Sequence, residues 1–362
     1  MSAAETPLAG ILKARIAAQG PMPLSDYMAE CLLHPRHGYY STRDPFGAAG
    51  DFITAPEISQ MFGEMIGVCL AQAWLDQGEP GHFVLAELGP GRGTLMADVL
   101  RSFRKLPALH AAARPILVEA SATLRARQAE TLAGERAEWR DSIADLPEGP
   151  LFLVANEFFD ALPIRQFQRD AAGWREVQVG LTDGRLTPGL TAPSPIAELD
   201  HRLSDTRPGE VVELCPALPA IAAEAARRIG AQGGVALVID YGGWHSRGDT
   251  LQALSGHAPA DSFAAPGTAD LTAHVDFEAI ARAWSLADVA VTDIIPQGVF
   301  LERLGITARA EALAARLSGT AQSAHIAAHR RLTHPEEMGN LFKVIGCHPA
   351  GTAIPAGLWP VS

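Results

Sequence analysis

The chain has 362 residues, enough for one large α/β domain with additions or two modest ones, and 48% hydrophobic residues supply an ample core. Its formal net charge of −12 argues against nucleic acid as a partner, because phosphate binding needs clustered Lys and Arg. Cys31, Cys69, Cys215 and Cys347 are far apart with no C-x-x-C pair, which argues against structural zinc and for a reducing, cytoplasmic setting.

No apolar run approaches the ~20 residues of a membrane span. The opening residues lack the long apolar region of a signal peptide and read as part of the fold. Leu8, Ile11, Leu12 and Ile16 form an amphipathic helical stripe that stops near Gly20 and Pro21. Ser25 is placed to cap a second helix reaching Leu33, ended by His34 and Pro35. The stretch HGYYSTRDPFGAAGDFITAPEIS follows, irregular and glycine-rich yet carrying Tyr39, Tyr40, Phe46 and Phe52; Tyr39, Tyr40 and Phe52 either wall a substrate channel or serve ordinary packing. Pro56 suits the first turn of the next helix, where Ile58, Phe62, Ile66 and Cys69 supply a buried stripe. Residues 1–80 therefore read as an N-terminal helical cap with a substrate-side loop. Residues 81–362 read as the core, with insertions at about 164–230 and 244–275 and helices at about 300–330.

The core opens with an apolar strand over 83–85, then Glu87, Gly89, Gly91 and Gly93, then a helix from Thr94 with Leu95, Val99, Phe103 and Leu106 on one face. A second strand over 115–119 ends in Glu119, and Ser121 caps a helix carrying Leu124, Gln128 and Leu132. A short third strand surrounds Trp139 and leads to Asp141 and Ser142; a fourth covers 151–155 and ends at Asn156-Glu157-Phe158-Phe159-Asp160. Residues 164–169 and 174–180 form a hairpin, and 191–210 read as a surface insertion. A helix over 221–229 returns to a fifth strand over 235–240. Residues 244–275 are loop-like; a helix over 277–284, a sixth strand over 289–295 and a closing strand over 341–345 complete the chain.

Strand, glycine turn and helix make the first unit of a doubly wound α/β fold, whose ligands sit outside the carboxyl ends of the strands. The dinucleotide fingerprint needs a glycine where this chain has Thr94, and no Lys follows the glycines as a phosphate-cradling loop requires. Glu87 would repel a pyrophosphate by on the order of 4 kcal/mol at ~4 Å and an effective dielectric of ~20. It would welcome an amino group and a positive centre, and S-adenosylmethionine has both. Glu119, at the second strand's end, is placed to hydrogen-bond ribose hydroxyls. Asp141 and Ser142 lie where an adenine edge would, although Asp141 could equally cap the following turn. Glu157 and Asp160, with Asn156, emerge at the same sheet edge, and paired carboxylates there suit a guanidinium, whose planar fork bonds in bidentate fashion. His274, between Thr272 and Asp276, is a structural or substrate-contact residue.

Together these segments resemble the MidA family of class I S-adenosylmethionine-dependent methyltransferases, which includes the mitochondrial arginine methyltransferase needed for respiratory complex I assembly. The likeness rests on GDFITAPEISQMFGE (50–64), ELGPGRGTLMADVLR, LVANEFFDALPIRQF, GGVALVIDYG, DLTAHVDF, QGVFLERLGI and MGNLFKVIGC. It implies a seven-stranded Rossmann-like sheet with an antiparallel last strand, a donor loop at Gly89, Gly91 and Gly93, and Glu119 on the ribose. It also implies in-line methyl transfer to an arginine of a protein partner, such as a complex I subunit, without a metal. Arginine methyltransferases in general use two glutamates after the fourth strand, whereas this chain offers Glu157 and Asp160. A methyltransferase acting on a small molecule or another side chain, and a non-catalytic assembly chaperone on the same fold, are the alternatives. A homo-oligomer is compatible with the sequence.

Overall fold

The computed structural model describes residues 5–42 and 54–360; Phe46 and Phe52 lie outside the described residues. These residues fall into two compact units, one of 5–42, Asp160–Leu218 and His245–Asp276, the other of 54–159, Pro219–Trp244 and 277–360.

The second unit is built on a mixed sheet. Along its main path the strands are β1 (Phe83–Leu88), β2 (Ala113–Val118), β3 (Glu138–Arg140), β4 (Leu151–Asn156), β5 (Gly234–Gly243), β6 (Val289–Val291) and β7 (Phe342–Pro349), in the spatial order 6-7-5-4-1-2-3; off this path the two-residue strand Ile295–Pro296 also pairs with β7, so the sheet has more than the expected seven strands. β1 to β5 pair in parallel, and β7 runs antiparallel to β5 and β6. Every residue of β1 and β4 is buried, as expected of parallel strands covered on both faces. After β1 the chain builds β2 and β3 on one side and then returns to place β4 on the other, so β1 and β4 flank a topological switch point. Register fixes what emerges there. Leu88 is level with both Val118 and Ala155, which brings Gly89, Glu119 and Asn156 out at one edge.

Helix Gln60–Asp76 packs on helix Thr94–Phe103. Two glycines permit the approach: a Cβ on Gly63 would sit 2.5 Å from the Asp98 Cβ, and one on Gly67 would overlap the Ser102 hydroxyl. Met61, Phe62, Ile66 and Leu70 join Phe83, Leu95, Phe103 and Phe152 in one core. That burial is why the compact units divide before this helix and not at residue 80. β7 runs four residues beyond the expected closing strand, and a short helix, Met338–Leu341, precedes it.

The first unit has its own core of Leu8, Leu12, Tyr27, Met28, Tyr39, Ile164 and Val179 among others. The expected hairpin forms between Arg165–Asp170 and Gly173–Thr182 and grows into a five-stranded sheet with Met22–Pro23, Arg185–Leu190 and Val211–Leu214. The stretch read as loop-like holds a small sheet of Gln252–Ser255, Ala258–Ala260 and Asp270–Thr272. Ser25 does not cap its helix. Pro23 occupies that position, because its fixed φ leads directly into the helix Leu24–Leu33. Among the described residues no helix is long and apolar enough to cross a membrane.

Candidate active site

The glycine turn is set by its backbone. Gly89, Gly91 and Gly93 have φ of +60°, +52° and +80°, a region open to glycine and costing other residues roughly 1–2 kcal/mol. Space also selects Gly89, since a Cβ there would stand 2.7 Å from the Phe158 ring. The Gly89 amide donates to the Val118 carbonyl at 3.1 Å and the Gly93 amide to Pro90 at 2.7 Å, bracing the turn against β2 and against itself.

Outside the ends of β1 and β4 the turn lines a cleft open to solvent, together with Glu57, Glu87, Arg92, Thr94, Asn156 and Glu157. Glu87 is 4% exposed. Burial lifts its carboxyl to about 8, opposed by the Met96 amide that it accepts, and Oε2 is left without a partner. Asn156 donates to Glu157 Oε1 at 3.1 Å and leaves its buried Oδ1 unpartnered.

Glu157 stands at φ +50°, an uncommon conformation for a residue with a Cβ. It is held there from several sides. Its amide donates to the Ile239 carbonyl at 2.9 Å, and its Oε1 accepts the Ala55 amide at 2.9 Å. Asp240, fully buried in β5, accepts the Phe158 and Phe159 amides at 3.2 and 3.0 Å. The loop after β4 therefore hangs from β5.

Glu119 lies just past β2 and outside the lining of this cleft. Its carboxylate accepts the Ser121 amide at 2.8 Å and Gln128 Nε2 at 3.2 Å; burial raises its pKa against those bonds. Gln128 is fully buried, also donates to the Gly91 carbonyl at 2.8 Å and accepts the Trp139 indole at 2.8 Å. One side chain thus fastens the glycine turn to Glu119.

Two other expected site residues of the second unit lie outside the cleft lining. The Asp141 side chain is 85% exposed and paired with Arg125, and Ser142 caps the short helix Ile143–Asp145 through the Ala144 amide; neither lines the cleft. Asp160 belongs to the first unit, where its carbonyl accepts the Ala273 amide at 2.9 Å. In that unit Tyr39 is fully buried, edge-on to Tyr40, whose hydroxyl reaches the Asp270 carboxylate at 2.8 Å. His274 is exposed, its amide donating to the Thr250 hydroxyl at 2.8 Å. Five residues of the second unit were not anticipated as part of the site: Glu57, Arg92, Thr94, Gln128 and Asp240. Gln128 did carry a signal, being a polar residue on an apolar helical stripe.

The lining fits a cationic nucleoside. Glu87 Oε2 and Asn156 Oδ1 are buried without a partner, and Glu57 and Glu157 outweigh Arg92 even with Glu87 neutral. A pyrophosphate would meet both of those carboxylates.

Comparison with known proteins agrees. A family model for S-adenosyl-L-methionine-dependent methyltransferases matches residues 65–295. The chain belongs to this MidA-like methyltransferase family. It is 37% identical to the Mus musculus protein named protein arginine methyltransferase NDUFAF7, mitochondrial, over 95% of this chain and 85% of that protein. The Drosophila melanogaster homologue of that name is 36% identical, over 98% of this chain and 87% of that protein. A Burkholderia thailandensis crystal structure with S-adenosyl-homocysteine bound is similar at a TM-score of 0.80 and 30% identity, covering 100% of this chain and 97% of that one.

Within this methyltransferase family the methyl donor is S-adenosylmethionine, and the fold is the α/β methyltransferase fold. The cytoplasmic expectation is corrected, because the mouse and fly relatives carry a mitochondrial name. The four cysteines are unpaired and three are buried.

Proposed function

We propose that this methyltransferase modifies arginine side chains of a partner protein, a respiratory complex I subunit being the class the family likeness implies. One observation carries the reading: Glu157, held at φ +50°, presents a carboxylate on the rim of the donor cleft. Backbone in this region persists only where the surroundings over-determine it, and such strain gathers at functional sites. The names of the mouse and fly relatives support the same substrate class.

When bound, S-adenosylmethionine supplies an electrophilic methyl group. Glu87 and the turn at Gly89, Gly91 and Gly93 hold the donor's amino-acid end, and Glu119, steadied by Gln128, takes the ribose. Glu157 holds the guanidinium with one nitrogen facing the methyl carbon and accepts the proton that this nitrogen loses. Asn156 keeps Glu157 in that attitude through its 3.1 Å hydrogen bond. Orientation of this kind can lower a barrier by ~7–11 kcal/mol in favourable systems.

The test replaces Glu157 by Gln and Asp160 by Asn and follows labelled-methyl incorporation into protein. Full activity in Glu157→Gln would remove the assignment. Labelling of a metabolite but of no protein would favour a small-molecule acceptor.

A further inference from the structure

Three carboxylates line the cleft, and the reaction above uses two of them. The third is Glu57, on the one-turn helix Ala55–Ile58. The first amide of that helix, Ala55 N–H, is the donor that grips Glu157 Oε1 at 2.9 Å. Glu57 Oε1 in turn accepts the Thr94 hydroxyl at 2.5 Å, and Thr94 opens the helix that leaves the glycine turn. Glu57 is therefore tethered to the donor turn on one side and to Glu157 on the other. Methyl transfer has to happen at that seam.

Glu57 Oε2 has a single cation near it among the described residues, Arg92 Nη1 at 4.0 Å, which is beyond hydrogen-bond reach. The side chain is 18% exposed, open to a ligand but largely withdrawn from water. The buried, unpartnered Asn156 Oδ1 shows independently that the cleft has an acceptor to spare and wants donors. A ligand that answers this pattern carries several N–H groups and positive charge in one plane.

We propose, resting on the arginine reading above, that Glu57 is the second carboxylate of the guanidinium-holding pair, opposite Glu157. Glu157 takes one edge of the planar cation and Glu57 Oε2 takes the other. The pair is then made within one unit, from residues already joined through Ala55, and Asp160 is not required for it.

The test uses Glu57→Gln, which keeps size and an oxygen for the Thr94 hydroxyl. Purified enzyme and labelled S-adenosylmethionine are added to protein extract from cells lacking the enzyme, and methylarginine is measured after hydrolysis. S-adenosyl-homocysteine affinity is measured by calorimetry. Methylarginine formation is expected to fall by about 10–100-fold, as the loss of a charged hydrogen bond at the reacting centre implies, with the Kd for S-adenosyl-homocysteine within about threefold. A rate within about threefold of wild type overturns the proposal, as does a Kd that weakens in step with the rate, which would assign Glu57 to the donor. Should Glu57→Gln fail to fold, Thr94→Val releases the tether and keeps the charge; about a tenfold lower rate at unchanged Kd supports the proposal and an unchanged rate overturns it. Wild type that forms no methylarginine defeats the arginine reading itself. Activity lost in Glu157→Gln yet kept in Glu57→Gln defeats only the pair.

Discussion

Glu87 gives the sharpest physical test of the donor site. Its carboxyl is buried, has one oxygen without a partner and titrates near 8. In the free protein at pH 7 about nine-tenths of Glu87 is therefore protonated. A donor with an ammonium and a sulfonium favours the ionised form, so binding should release a proton. The sign follows: S-adenosylmethionine affinity should rise with pH toward 8 and then level, weakening by up to about tenfold per unit below it. Calorimetry in phosphate and in Tris at pH 7 separates proton release from binding heat, and close to one proton per site is expected. Glu87→Gln should abolish the release, flatten the pH dependence and weaken binding at pH 8 by about 10–100-fold, the range of one charged hydrogen bond. The same group sets stability in the opposite sense. A folded pKa raised to about 8 from 4.5 means the folded state holds more protons between those values, so its stability falls as pH rises through that window. Above pH 8 Glu87→Gln should then raise Tm by several degrees, an effect of a few kcal/mol at most. Undiminished proton release in Glu87→Gln, or affinity that grows as pH falls, would refute the reasoning.

Gly89→Ala places a Cβ 2.7 Å from the Phe158 ring at φ +60°, and donor affinity by calorimetry should fall by at least about tenfold. Gln128→Leu strands the Gly91 carbonyl, Glu119 and the Trp139 indole; thermal unfolding should show a loss of about 2–4 kcal/mol, with a weaker Kd for S-adenosyl-homocysteine. Asp240→Leu removes the acceptor of the Phe158 and Phe159 amides, and among folded protein the methylation rate should fall more than donor affinity does.

The parts of the site that could be read from the sequence are those at strand ends. Glu87, Glu119 and Glu157 each close an apolar run, and parallel register delivers such positions to one edge whatever the loops do. Asp141 closes a strand of only three residues, and Arg125, from the preceding helix, draws its carboxylate outward. Glu57 was out of reach because its place depends on one amide, Ala55, meeting a side chain far along the chain. Beyond its hairpin, the sheet of the first unit was illegible for a similar reason. Its sheet pairs Met22 with Val179, and nothing local in either segment announces the other.

The left-handed backbone at Glu157 also bears on how the family changes over time. Gly or Asn at that position would relax the turn and gain on the order of 1 kcal/mol. A copy of the gene released from the need to methylate should therefore drift toward those residues while its fold grows more stable. On the role proposed for Glu157, residue identity at 157 becomes a marker for telling active paralogues from ones that have kept only the scaffold.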